Sequence, residues 1–498
     1  MKSLAIQQDL RPALPNIFFN SDYHEFRETL VKIDEILSKT GLENQLIEKA
    51  VNQFIVQENK TKATFIQSKG YPKLWKKLQF ALRCNIARHL TGEPFRKFSV
   101  RLSDSQRFQW FTRIHYFTNK KAVSKSSLNR FDNLFDEAVI EDTLCQWQGR
   151  FLTNSTFVKE IGLNEGMNCS ELFSDGTCVK ANIHFPVDWV LLRDAVRSLL
   201  LAIKTIRTQG LKHRMANPAK FMKKMNRLCI EMTHTRRKKD SKKQRKKILR
   251  KMKKLSICIQ KHAKRYRDLL TEHVDQTNWT KAQANMVLNR IKNILDQLPA
   301  AMKQAHERII GERLLKSKDK ILSLYDPDIH VIVRGKAGNE VEFGNGLILT
   351  EQRDGLIVDW ELFKDQPKSD SRILKSVIER VQKHYGSIQS LAGDRGYDSK
   401  KNTQFLEQEK IYNAICPRNP KTLKERMKES HFRELQTRRS QTEGRIGIFK
   451  NNFLGRPLRS KGFLNKQMAV SFCVLTHNLW LIARLAISDE NSLLEKAA

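Results

Sequence analysis

Three acidic residues, far apart in the chain, share one kind of setting, and their chemistry points to phosphate esters. In LAGDRGYDS (391–399), Asp394 emerges where an apolar run led by Ile388 and Leu391 stops, with Gly393 and Gly396 close on either side. In LFSDGTCVKANIHFP (172–186), Asp175 comes one step beyond an apolar pair and is followed by Gly176. Both read as strand ends, where a small neighbour lets a backbone or a substrate approach without a Cβ in the way. The third stretch, RRSQTEGRIGIFKNN (438–452), shows no strand alternation. Ile446, Phe449, Phe453 and Leu454 recur at helical spacing there, which puts Glu443 on a helix.

Gathered together, such acids repel one another. At about 4 Å and an effective dielectric near 20, each pair costs roughly 4 kcal/mol. A cation between them removes that cost, and all-oxygen ligation suits Mg²⁺ or Mn²⁺. Two such ions about 3.5–4 Å apart clamp the attacking and leaving oxygens of a phosphoryl transfer. The expected chemistry is cutting or joining of a phosphodiester, with Asp175, Asp394 and Glu443 as both metal ligands and catalytic residues.

The elements that must position these acids belong to a long and very basic chain. At 498 residues it exceeds a single core, so two or three domains are expected. A net charge of +38 and a pI near 10 attract polyanions: DNA, RNA or an anionic membrane surface. The most apolar stretch, 468–487, contains His477, Asn478 and Arg484, which are costly in lipid, so it reads as a buried amphipathic helix. The opening MKSLAIQQDLRPALP has too short an apolar core for a secretory signal, and an intracellular protein is expected. Eight cysteines lie scattered with no C-x-x-C pair and no zinc-like spacing. Reduced thiols account for them, without a disulfide framework or zinc finger.

Taken in order, residues 22–57 carry two amphipathic helices parted by Thr40 and Gly41. A helix closed by Gly92 follows, then one capped by Ser103 or Asp104, then one capped by Ser126 or Ser127. Short helices joined by a basic, serine-containing turn suit a helix-turn-helix that reads a DNA end; an ordinary helical subdomain with a solvated loop fits equally well. Asp188, beyond the first strand, reads as the N-cap of WVLLRDAVRSLLLAIKTIRTQG rather than as a metal ligand. His184 has no second histidine and reads as a packed or phosphate-facing ring.

From Arg236 to Arg267 there are seventeen Lys or Arg against one Asp. Beneath that charge Ile248, Met252, Leu255, Ile259, Ala263, Tyr266 and Leu270 step as a packed helical seam does, and Val287 to Ile309 repeat the pattern. A long antiparallel helical hairpin with a cationic face is expected. So many like charges along roughly 48 Å of helix call for a polyanion nearby. From Ile329 the period changes to two, giving strands in HVIVRG, EVEFGNGLILTEQ and GLIVDWELF, the last two joined by a turn at Arg353, Asp354 and Gly355. SIQSLAGD and IYNAICP are further strands, with helices at 370–385, at SKKNTQFLEQEK, around Glu443 and from Gln467.

That order of elements, with SDGT around Asp175, GDRGYDS around Asp394 and the helix RRSQTEGRIGIFK, resembles the ribonuclease H-like core of DDE transposases from bacterial insertion sequences. The resemblance covers roughly residues 170–485. In one large group of these enzymes the helical glutamate is accompanied by a tyrosine, an arginine and a lysine. Arg439, Glu443 and Lys450 fill three of those four places, and Gln436 stands where the tyrosine belongs. The resemblance implies an α/β ribonuclease H-like core, a mixed five-stranded sheet with flanking helices, preceded by an all-α region. The implied boundaries are 1–150 for an N-terminal helical DNA-binding region, 151–188 for the first part of the catalytic domain, 189–324 for a basic helical insertion after the first core strand, and 325–498 for the remainder.

Further implications concern the chemistry. Asp175, Asp394 and Glu443 would hold two Mg²⁺ or Mn²⁺ ions, while Arg439, Lys450 and Arg445 would bind DNA. The partners would be element terminal inverted repeats and target DNA, engaged by a homodimer in the bacterial cytoplasm at the nucleoid, with no membrane. The activity would be metal-dependent cleavage at element ends and transfer of the 3′-hydroxyl into target DNA. The alternatives are a structure-specific nuclease of the same fold and a non-catalytic transposase-derived DNA-binding protein.

Overall fold

In the computed structural model the helical and strand periods of the sequence resolve as helices and strands; the structure describes residues 14, 17–58, 62–114, 123–235, 240–336, 339–366 and 369–497. The basic turn before Ser124 and the cations at 236–239 lie outside these residues. The chain divides into two compact units, Met1–Lys180 with Gly346–Ala498, and Ala181–Asn345.

In chain order the elements are α1 (Ser21–Lys39), α2 (Leu42–Gln57), α3 (Lys62–Ile66), α4 (Gly70–Leu90), α5 (Phe95–Asp104), α6 (Gln106–Thr112), α7 (Lys125–Asp132), α8 (Glu137–Thr153) and α9 (Ser155–Ile161), then β1 (Glu171–Lys180). There follow α10 (Asp188–Arg207), α11 (Pro218–Thr235), α12 (Ser241–Glu272) and α13 (Lys281–Ile309), then β2 (His330–Lys336), β3 (Asn339–Glu351) and β4 (Ile357–Leu362). The chain ends with α14 (Asp370–Tyr385), β5 (Ser390–Gly393), α15 (Lys400–Gln408), β6 (Tyr412–Ile415), α16 (Pro420–Arg426), α17 (Ser430–Ile448), a π-helical turn over Phe449–Leu454, and α18 (Phe463–Ala497).

Local chemistry explains the helix ends of the first unit. Asn20 caps α1 by accepting from Tyr23 N at 2.8 Å, and Gly41 takes a φ of 77° between α1 and α2. The cap of α7 is Ser124, which accepts from Ser127 N at 3.1 Å, rather than Ser126 or Ser127 as the spacing suggested. A capping hydroxyl must stand two or three residues before the amide it satisfies, so Ser127 supplies the amide instead. The residue at the cap position of α6 is Ser105, not Ser103 or Asp104, and its side chain makes no capping hydrogen bond.

Apolar stripes of α1, α2, α4 and α8 join Leu172, Leu391 and α18 in one core. The Phe463–Ser492 part of α18 is long and apolar enough to cross a membrane, yet most of it is buried in this core. There Asn478 donates to Ile357 O at 2.8 Å and accepts from Ile357 N at 3.1 Å, so its amide completes the β4 edge as a further strand would.

Strand β1 lies between β3 and β5. It runs parallel to β5, which runs parallel to β6, while β3 and β4 pair antiparallel. The sheet is therefore mixed and flanked by helices, as expected, but among the described residues it has six strands rather than five. The extra strand arises because β3 is 13 residues long. Its residues from Leu347 pair β4, and its residues up to Gly344 pair β2 inside the second unit.

That second unit is built on α10 to α13. The expected antiparallel pair is α12 with α13, where Lys253 Nζ meets His306 Nδ1 at 3.3 Å and, further along, Lys242 Nζ meets Glu312 at 3.1 Å. The hairpin does not stand alone. Leu192, Leu199 and Ile203 of α10 and Met225, Leu228 and Met232 of α11 share its core, so four helices close around the seam. All seven seam residues named on α12 are buried, while Lys243, Lys247, Arg250, Lys251, Lys254, Lys261 and Lys264 are exposed. Asp188 is the first residue of α10 rather than its cap, because Gln304 and Arg308 of α13 hold its carboxylate at 2.9 Å each. His184 Nε2 donates to Asp194 Oδ2 at 3.0 Å.

Candidate active site

Parallel pairing of β1 with β5 matches Phe173 to Ala392 and Ser174 to Gly393. The next residues along the chain are Asp175 and Asp394, so the two acids stand side by side at the strand spacing of about 4.8 Å; Asp394 follows the end of β5, as expected, but Asp175 lies midway along β1 rather than at a strand end, because β1 continues to Lys180. On the same sheet face Phe173, Ala392 and Ala414 pack against Phe432 and Leu435 of α17. From that anchor α17 runs on to Glu443, two turns beyond Leu435. Burial first, then the like charges of Asp394 and Glu443, push Asp175 up from 3.8 to about 6; Arg439 and the Gly176 amide pull it partly back. Asp394 Oδ1 accepts from Gly396 N at 2.8 Å, and Glu443 is exposed.

Helix α17 has two working faces. One carries Gln436, Arg439, Glu443 and, through the π-helical turn, Lys450. Gln436, in the place of the tyrosine, donates to Ala414 O at 2.5 Å and Gly393 O at 3.4 Å, which ties the helix to the ends of β5 and β6. Its carbonyl accepts from Arg439 Nε at 3.2 Å, while Arg439 Nη1 is buried without a hydrogen-bond partner among the described residues. Lys450 donates to Thr177 Oγ1 of β1 at 2.9 Å, two residues past Asp175. The other face carries Arg438, Thr442 and Arg445, which converge on the buried Glu351 at 3.0, 2.8 and 3.4 Å. Arg445 therefore braces α17 from the side away from Glu443, and Arg438 also lies 4.5 Å over the Phe173 ring.

The opposite sheet face holds groups that the sequence did not reveal. Thr350 Oγ1 donates to Ser174 Oγ at 3.1 Å, and Ser174 shares a hydrogen bond of 3.1 Å with Tyr397. All three are fully buried, so a chain of hydroxyls fastens β3, β1 and the Asp394 loop behind the acids. Beside it stands Asp370, in the first turn of α14. A Cβ built at Gly396 would meet Asp370 Oδ2 at 2.5 Å and Asp394 Oδ1 at 2.8 Å, and one at Gly176 would meet Asp370 Oδ1 at 3.2 Å. In sequence Asp370 reads as an ordinary acid at a helix start, and only the glycine spacing around Asp175 and Asp394 hinted that something approaches there. By contrast Asp359 is held by Arg380 at 2.7 and 2.9 Å, and Asp398 by Arg418 N at 2.7 Å.

Among the described residues, no three His, Cys, Asp or Glu side chains are drawn close enough to hold a metal ion between them. Mutual repulsion keeps like-charged carboxylates apart. The donor set nevertheless fits a hard divalent cation: the oxygens are all carboxylate, and Asp175 is lifted by the very charges that a cation would neutralise.

Residues 334–479 match a family model described as the transposase DDE domain. This stretch is a transposase DDE domain. It contains Asp394 and Glu443, and Asp175 lies upstream of the match. No curated protein and no solved structure gives a significant match. As a transposase domain it belongs with enzymes that act on DNA, and its family works with divalent metal ions.

Proposed function

We propose that this chain is an insertion-sequence transposase that cuts at element ends and joins the freed 3′-hydroxyl to target DNA, on a ribonuclease H-like core. The observation that carries this reading is the β1–β5 register, which sets Asp175, within β1, beside Asp394, just past β5, under the helix bearing Glu443. When bound, two divalent ions, Mg²⁺ or Mn²⁺, held by Asp175, Asp394 and Glu443, supply activation of the attacking hydroxyl and stabilisation of the leaving oxygen. The chain's own part is positioning. Gly396 N fixes one oxygen of Asp394, the hydroxyl chain fixes the backbone of Asp175, and Gln436 with Glu351 fixes the helix of Glu443.

Arg439 has a guanidinium N–H to offer a phosphate oxygen of the transferred strand. Lys450 adds positive potential beside β1, and Arg445 does so while braced on Glu351. The exposed cations of α12 bind duplex DNA without reading its sequence, and the N-terminal helices read the terminal repeats. Two copies pair two element ends, on the bacterial nucleoid in the cytoplasm. The test is an assay with labelled terminal-repeat DNA and a target plasmid, with and without Mg²⁺. Wild type gives nicked and joined products. Glu443→Gln gives neither, yet keeps DNA binding and its steep salt dependence. Cleavage retained in that variant removes Glu443 from the site.

A further inference from the structure

We propose that the groove between α10 and α11 is a docking site for an acidic amphipathic helix of another protein. The two helices are joined by the loop at 208–217, and Arg193 Nε of α10 fastens them by donating to Asn226 Oδ1 of α11 at 2.9 Å. Alongside that bond they leave a cavity of about 1180 Å³. Leu200 and Leu201 of α10 and Ala219, Met222 and Ile230 of α11 give it an apolar lining. Around them, among the described residues, stand six cations, Lys204 and Lys223 included, against one acid, Glu231.

Exposure and charge together select the occupant. On α10, Leu192, Leu199 and Ile203 are buried in the bundle, yet Leu201 is 49% exposed; on α11, Met225, Leu228 and Met232 are buried, yet Ile230 is 57% exposed. Both exposed side chains line the groove, so an occupant with an apolar face of its own would take them out of water. The rim then says what must flank that face. Glu231 is already held by Arg227 Nε at 3.1 Å, and among the described residues no carboxylate pairs with Arg197, Lys204, Lys212 or Lys223. A second copy of this chain would bring the same cations face to face. A DNA duplex would answer the cations, but its phosphate ridges have no apolar face to cover Leu201 and Ile230. Nor does any cation of α12 line the groove. A helix with apolar residues at i, i+3, i+4 and i+7, bordered by Asp and Glu, meets both demands. The length agrees as well. Arg197 to Arg207 covers roughly 15 Å of α10 and Ala219 to Glu231 about 18 Å of α11, which is room for about three turns of a guest.

The test is selection on the full chain from a displayed library of random peptides about four turns long, with duplex DNA in excess to occupy the other cationic surfaces. Enriched peptides are then measured singly by fluorescence anisotropy. They are expected to carry net negative charge and apolar residues at helical spacing, and a scrambled peptide of the same composition should bind at least about tenfold more weakly. Leu201→Asp with Ile230→Asp, and separately Lys204→Glu with Lys223→Glu, should each weaken binding by about tenfold or more. The second pair exchanges only exposed side chains, so its melting temperature should match that of wild type. Equal binding of the scrambled peptide, wild-type affinity in either pair, or enrichment of no acidic helical sequence overturns the proposal. So does displacement of the peptide by a short duplex whose own binding is lost in Leu201→Asp with Ile230→Asp, which assigns the groove to DNA. A dimer that comes apart in that variant on sedimentation overturns it too, in favour of a second copy. None of these readouts uses Asp175, Asp394 or Glu443, so they stand or fall separately from the catalytic reading.

Discussion

Two charged clusters in the first unit are built on opposite plans. With Arg113 standing 3.9 Å from Asp34 and 4.0 Å from Glu43, the charges cancel around Arg83 of α4, which is fully buried. Its Nε donates to Glu43 at 2.5 Å, Nη2 to the other Glu43 oxygen at 3.1 Å, and Nη1 to Asp34 and to Phe111 O. Burial alone would lower the pKa of this guanidinium, but Glu43 and Asp34 outweigh it and the net shift is upward. Where β1 passes the end of β5 the charges add. Asp175, Asp394 and Glu443 share one field with Arg439 as the cation that offsets it, and Asp370 stands beside them. A closed cluster of matched charges secures three helices against one another and has no capacity left for a ligand. An open cluster of like charges weakens the fold that contains it and is relieved by what it binds.

Breaking each cluster should therefore give opposite results. The largest effect is expected from Asp394→Asn. Cleavage and joining fall by about 10³-fold or more in the plasmid assay, while the melting temperature in EDTA does not drop. Arg83→Met does the reverse, since it leaves the buried Asp34 and Glu43 with the more distant Arg113, at 3.9 and 4.0 Å, in place of a directly bonded counter-charge. Urea denaturation is expected to show a loss of about 3–5 kcal/mol, with cleavage intact wherever the protein stays folded. Equal losses of activity and stability in both variants would erase the distinction.

The smallest effect sharpens the comparison through pH. Asp175 holds its proton more tightly in the fold, at about 6, than at its ordinary 3.8. The stability this contributes is complete below about pH 4, is lost as pH rises to about 6, and stays lost above. Asp175→Asn, which does not titrate, should exceed wild type by about 1–2 kcal/mol at neutral pH in EDTA, after allowance for solvent screening. It should gain nothing at about pH 4. Urea curves at the two pH values check this, and Mg²⁺ should remove the difference at neutral pH.

How much of this was legible in the chain depended on where the information lay. The α12 seam from Ile248 to Leu270 was readable because helical periodicity is local, and every residue named on it is buried. Strands β3 and β4 and the turn at Gly355, with its φ of 101°, were readable for the same reason. Asp175 and Asp394 stood out through their glycines. Their adjacency is a matter of parallel pairing, a contact across more than two hundred residues that no local pattern states. The nearness of Asp370 to Gly176 and Gly396 was missed because it begins a helix, where an acid is unremarked, and its place depends on which strands that helix crosses. Helix α16, with no buried residue, offered no apolar stripe to read. Every strand was named from the sequence, HVIVRG (β2) included; that β2 joins the same sheet was not legible, because the length of β3, not its pattern, gives it two partners.

The hydroxyl chain behind the acids has a practical consequence. Tyr397 is wholly enclosed, its ring lies 3.0 Å from where a Gly393 Cβ would be, and burial first, then Asp370, Asp175 and Asp394, drives its phenol well above the ordinary range. The phenol thus remains un-ionised through the working pH range while feeling each change of charge beside it. A small change in near-ultraviolet absorption is the expected sign of ion arrival, to be read on the unlabelled protein as a difference from Tyr397→Phe before any DNA is added.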